Sequence, residues 1–165
     1  MRLLEIALFT LLVLIVFLSG QVHAQEYNLK MKLRVIINEN KVLTATLEDN
    51  ATVAAFKEML PLTLDMSDFN ANEKKFDLPK RLPTKDANPQ MIQAGDLMIW
   101  NSSTFVLFYK SFPTSYSYTK IGRINNTSGI ADAIGSENVR IRFELEWRTN
   151  NKQKRNDYGK MEKLW

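Results

Sequence analysis

Residues 138–147 read "NVRIRFELEW". Val139, Ile141, Phe143 and Leu145 share one parity, and Arg140, Arg142, Glu144 and Glu146 share the other. Successive side chains of a strand point to opposite faces, so strict alternation predicts a strand with one wet face and one core face. An amphipathic sheet must bury its apolar face against something, either a second layer or itself closed into a barrel. The rest of the chain has to supply that partner.

It supplies several. "MKLRVIINENKVLTATLED" places Leu33, Val35 and Ile37 on one parity with Lys32 and Arg34 on the other. Asn38-Glu39-Asn40 is turn material, and "VLTATL" resumes as a second strand, which makes a hairpin. "DNATVAAFKEMLP" changes period: Val53, Phe56 and Leu60 fall at helical spacing. Asp49 or Asn50 can cap its first turn, and Pro61, lacking an N–H, ends it.

"LTLDMSDF" alternates again. "NANEKKFDLPKRLPTKDANPQ" reads as a long irregular stretch, with at most a short strand near residues 75–78. Loops of that length inside a domain are often functional. "GDLMIW" and "FVLFYK", joined by "NSST", form a strand pair, and "SYTKIGRI" is a further strand. "NTSGIADAIG" reads as a short helix stopped at Gly135. The reading gives about eight strands and two helices, mostly antiparallel, as a closed barrel or a sandwich.

Charge narrows the partners. The formal net charge is +4. Residues 148–165 hold six of the 22 Lys and Arg and two of the 18 Asp and Glu, which accounts for the whole excess. The body of the chain is neutral, so no nucleic-acid partner is expected, and the basic tail is expected to be disordered. There is no cysteine, and the single histidine is His23. Disulfides, thiolate nucleophiles and Cys-ligated zinc are therefore excluded.

"MRLLEIALFTLLVLIVFLSGQVHAQ" resembles a secretory leader. Arg2 provides the positive start, Ile6 to Leu18 the apolar run, and Val22-His23-Ala24 a small-residue cleavage site. The expected division is a signal peptide over 1–24, one domain over 25–147 and a tail over 148–165. A periplasmic or secreted protein is expected, with no stable membrane anchor after cleavage. Cleavage would remove His23, and with it Ser-His-Asp and Cys-His catalysis and imidazole-ligated zinc. No cofactor or metal is expected. Gln21 stands where a lipidated cysteine would follow "LSG".

The order of these segments resembles a cyclophilin. "DNATVAAFKEML" is similar to the first-helix segment of that family, which ends on a buried Phe, here Phe56. "GDLMIW…FVLFYK" resembles the family's central strand pair, and "YTKIGRI" the F-G-K-V strand after it. "GIADAIG" and "NVRIRFELE" match the second helix and closing strand. The likeness covers residues 31–146 and is greatest to bacterial cyclophilin-like domains of uncertain function. It implies a mainly β fold, a closed eight-stranded antiparallel barrel with two capping helices.

The resemblance also implies a ligand groove. Tyr118 falls where cyclophilins carry a groove histidine, and Phe112 near their groove tryptophan. Tyr109 or Phe108, depending on a one-residue register, replaces the floor Phe, and Tyr116 lies between these positions. The family's isomerase arginine belongs to an F-H-R motif that this sequence lacks. Arg81 lies in the corresponding region and is the candidate catalytic residue, though Pro79 and Pro83 around it do not suit a strand.

The function expected is thus an exported binding domain that holds a peptide or small ligand. A divergent prolyl isomerase using Arg81 or Arg123 is the alternative. A monomer is expected. Residues 105–124 hold six aromatics, which fit either barrel core or binding platform. Asp65, Asp68, Glu73 and Asp77 could serve as acid and base or hold Ca²⁺, but a solvated loop is the reading their spacing favours.

Overall fold

The structure is a computed structural model and describes residues 31–146. The expected leader over 1–24 and basic tail over 148–165 lie outside the described residues.

The chain opens with a hairpin, β1 (Lys32–Ile37) and β2 (Lys41–Leu47). Asn38 and Glu39 both take positive φ, 46° and 63°, which gives the turn the twist of its flanking strands. Helix α1 (Ala51–Lys57) follows. Of the two candidate caps, Asn50 does the work: its side chain accepts from Val53 N at 2.9 Å. Next come β3 (Leu62–Phe69), β4 (Glu73–Asp77) and a two-residue strand β5 (Met91–Ile92). The last group is β6 (Asp96–Trp100), β7 (Thr104–Phe108), two-residue β8 (Phe112–Pro113), β9 (Thr119–Ile124), α2 (Ile130–Ile134) and β10 (Val139–Leu145).

Eight strands close a barrel in the order β1-β10-β3-β4-β7-β6-β9-β2. Every neighbouring pair is antiparallel. The alternation of β10 is realised as expected, with Val139, Ile141 and Phe143 buried. β10 lies between β1 and β3, and Ile141 pairs with Ile37 and with Leu64, so three inward apolar residues meet in one layer.

The helices leave the barrel at opposite ends, because β2 and β9, which precede them, run antiparallel. From α1, Val53 and Phe56 enter the core. Phe56 stacks on Phe105 with ring centroids 5.4 Å apart, and Phe105 meets Phe143 at 4.9 Å. α2 contributes Ile130 and Ile134.

Two features depart from expectation. The strand sought near residues 75–78 spans Glu73–Asp77 and starts on two charged residues, both buried. β6 and β7 are also buried along nearly their whole length on both faces. Their inward residues join the barrel core. Met98, Val106 and Phe108 face outward into a second apolar cluster with Ile92, under Phe112 and Tyr118. The ribbon of β5 paired with β8 covers this wall.

Candidate functional site

The outer face of the β4–β7–β6 wall is the floor of a groove. In β7, Phe105 and Leu107 point into the barrel, so Val106 and Phe108 point out. The apolar continuity of "FVLFY" therefore reflects a strand buried on both sides, part core and part groove floor. Phe108 packs edge-on against Tyr118, with centroids 5.5 Å apart at 89°, and against Phe112 at 5.7 Å. These arrangements bring ring edges toward ring faces, the favourable aromatic geometry.

Beside this cluster lies a cavity of about 300 Å³. Phe112, Tyr116 and Tyr118 line one side of it, Val106 and Thr104 the floor, and Trp100 and Phe69 the flanks. Tyr116 is 65% exposed, the most open of these aromatics. Three of the groove residues expected from sequence, Phe112, Tyr116 and Tyr118, thus converge on one cavity.

Two expected residues do not join them. Tyr109 sits on the opposite parity from Phe108 and turns into the barrel, where its hydroxyl donates to Asp68 Oδ1 at 2.7 Å. Burial and the Asp68 carboxylate push its phenol up to about 12. Of the two registers open in the sequence, the one with Phe108 as floor is realised. Arg81 lies at the turn between β6 and β7, where its guanidinium donates to Ser102 Oγ at 3.1 Å. Arg123 lies near Asp96, 3.9 Å from its carboxylate. No arginine among the described residues lines the cavity.

Glu73, one of the four carboxylates whose spacing favours a solvated loop, is instead buried at this cavity. It lies on β4 directly opposite Phe108 and lines the cavity. Only 9% of it is exposed. Burial in apolar surroundings pushes its carboxyl up to about 7; the Lys75 ammonium works against this shift and the Asp68 carboxylate adds to it. Lys75, on the same face, holds its ammonium over the Phe69 ring, 4.2 Å from the centroid. Burial, and secondarily the Glu73 charge, raise the Tyr118 phenol as well. The signal for Glu73 is its place directly after a turn, on a strand whose partner is aromatic, but its neighbours Lys74 and Lys75 give the segment the composition of a solvated loop.

Asp65 and Asp77 are exposed, and Asp68 belongs to a different cluster from Glu73. Asp68 accepts from Lys74 Nζ at 2.7 Å, and Lys74 also donates to the Glu137 carbonyl at 2.7 Å. The four carboxylates therefore do not form one site. No three His, Cys, Asp or Glu side chains among the described residues group as a metal site.

A second, larger hollow of about 660 Å³ opens on the far side of Tyr118. Asn50 and Thr52 of the α1 end, Pro83 and Lys85 of the long loop, and Lys120 of β9 line it. The long loop is pinned there by the Ala87–Tyr118 bridge, with both backbone bonds 3.0 Å. Tyr118 lines both hollows.

The sequence description of the cyclophilin-like family matches residues 36–144. This chain belongs to the cyclophilin-like family. No curated protein matches the sequence. Among solved structures, the solution structure of a hypothetical protein from Archaeoglobus fulgidus is similar at 20% identity. That match covers 74% of this chain and 99% of the archaeal one, with a TM-score of 0.48. The closed barrel and two short helices are those of a cyclophilin-like domain.

Proposed function

We propose that this cyclophilin-like domain is an exported binding module that holds a peptide or small ligand in the groove around Tyr118. One observation carries the reading: Phe112, Tyr116 and Tyr118 converge on one cavity floored by Val106 and Thr104, with no arginine among the described residues lining it. Aromatic walls supply large contact area at little entropic cost, which suits binding. Isomerisation is another matter. The X-Pro rotation barrier is ~18–20 kcal/mol, and lowering it takes a preorganised donor aimed at the prolyl amide. Arg81 donates to Ser102, Arg123 lies 3.9 Å from Asp96, and neither lines either hollow.

Export rests on the sequence of residues 1–24 and is part of the same proposal. Expression in a bacterial host, with N-terminal sequencing of the released protein, should return Gln25 as the first residue. Retention of Met1 in a protein confined to the cytoplasm would overturn export.

A proline-peptide isomerisation assay separates binding from catalysis. The expected result is no acceleration at high protein concentration, together with ligand-induced shifts of the Tyr116 and Tyr118 ring resonances. Acceleration that disappears in Arg81→Ala or Arg123→Ala would establish the isomerase alternative instead.

A further inference from the structure

Resting on the groove reading above, we infer that the ligand carries a positively charged N–H donor, an amine or guanidinium on an apolar body, and that Glu73 recognises it. Glu73 is 9% exposed, lines the cavity and has no hydrogen bond from any described residue. Its oxygens keep some contact with solvent at the cavity, but an ionised carboxylate so largely desolvated is unfavourable, and a complementary cation reduces that penalty. A fully buried acceptor lies beside it. Asn72 Oδ1 is buried without a hydrogen-bond partner, and Asn72 lines the same cavity. Two acceptors without donors call for a ligand that brings N–H groups.

The walls favour the same chemistry. Trp100, Phe69, Phe112 and Tyr116 present aromatic surface, which attracts cations electrostatically. Lys75 already shows the preference: its ammonium sits over the Phe69 ring and forms no ion pair with Glu73 within 4.0 Å. An anionic ligand would meet Glu73 with like charge. A neutral donor could pair with an acceptor but would leave the Glu73 charge uncompensated.

The recognition should depend on pH. The titratable groups around Glu73 are Lys75 on its own strand, Asp68 on β3, Tyr109 after β7, and Tyr116 and Tyr118 on the approach to β9. Burial raises Glu73 to about 7, within reach of neutral pH. A lysine-type amine stays protonated there, so affinity for it should rise as Glu73 ionises.

The test compares charged and neutral probes of one shape by NMR titration of the mature protein. Benzylammonium is set against benzyl alcohol, and acetyl-phenylalanyl-lysine amide against its norleucine counterpart. At about pH 8 each cation should bind at least ~10-fold tighter than its neutral partner, shifting Tyr116 and Tyr118. The ratio should fall toward one at about pH 5.5, and in Glu73→Gln at both pH values. Whichever cation binds tighter tells a peptide source from a free amine. Equal affinity for charged and neutral probes, with the same rings shifting, overturns the charge assignment and leaves the groove reading standing. A cation preference unaltered by pH and by Glu73→Gln removes Glu73 from the role. Silence of both rings toward every probe overturns the groove reading and this inference with it.

Discussion

Phe108 and Tyr118 meet edge-to-face across the outer wall of the barrel, 5.5 Å between ring centroids. Phe108 is fully buried and Tyr118 is half-open to the groove, so one contact joins the fold to the site. Phe108→Ala should remove the floor and destabilise the domain by about 3–5 kcal/mol, the usual loss for a buried Phe. Tyr118→Phe keeps the ring pair and should cost under about 1 kcal/mol. Urea midpoints of the two variants check the difference. Comparable losses would mean that the Tyr118 hydroxyl, not the ring pair, holds this wall.

Glu73 faces Phe108 across the β4–β7 pair, and its burial sets a pH dependence. Its folded value is about 7 against an ordinary 4.5. The folded state therefore holds a proton that the unfolded state has lost, and stability falls as pH rises from 4.5 through 7. Glu73→Gln cannot ionise. At about pH 8 it should be more stable than the native chain by on the order of 2–3 kcal/mol, and near pH ~4 the two should converge. Urea unfolding at both pH values reads this out. A gap of the same size at both would trace the effect to packing.

Glu73 also shows where the sequence stops being legible. Strands with one wet face, such as β10 and β1, are legible through alternation, which marks their inward residues. β7 is buried on both faces, so "FVLFY" has no alternation and its register could not be read. That is why Tyr109 and Phe108 are interchangeable in the sequence. β4 fails in the opposite way. Its inward residues are Lys74, fully buried, and Phe76, and its outward residues include Glu73 and Lys75, so the strand has the composition of a charged loop. The partners that make Lys74 tolerable, Asp68 and the Glu137 carbonyl, are supplied by tertiary structure. Motif order puts Arg81 in the region of the family's arginine, but it cannot say which way a loop side chain turns.

Lys74 and Asp68 form the most buried ion pair described, with side-chain exposures of 0% and 21%. Burial would raise the Asp68 carboxyl, but hydrogen bonds from Lys74 and Tyr109 hold it below its ordinary 3.8. Its contribution is present above that value and is lost as pH falls through the lower folded one. Asp68→Asn strands the Lys74 ammonium and should cost about 2–4 kcal/mol at neutral pH. Lys74→Met combined with Asp68→Asn removes both charges and should be milder than the sum of the single changes by more than about 1 kcal/mol. A double-mutant cycle in guanidinium chloride measures the coupling, and additivity would show that the pair contributes nothing beyond packing.

Gly122, in the "IGRI" segment, pairs with Leu47 where β9 closes the barrel against β2. A Cβ there would lie 2.6 Å from the Thr46 carbonyl oxygen and 3.3 Å from Leu47. The obstacle at the first contact is backbone, so relief requires the two strands to part. Gly129 offers the opposite situation: a Cβ would meet nothing within 4 Å, but its φ is +69°. Gly122→Ala should cost about 2–3 kcal/mol through overpacking, and Gly129→Ala about 1 kcal/mol through backbone strain alone. Amide exchange locates the damage. Gly122→Ala should speed exchange along the β2–β9 ladder, whereas Gly129→Ala should affect only α2. If the β2–β9 amides stay protected in Gly122→Ala, the strands have room to give and closure at this seam is looser than the contact distances imply.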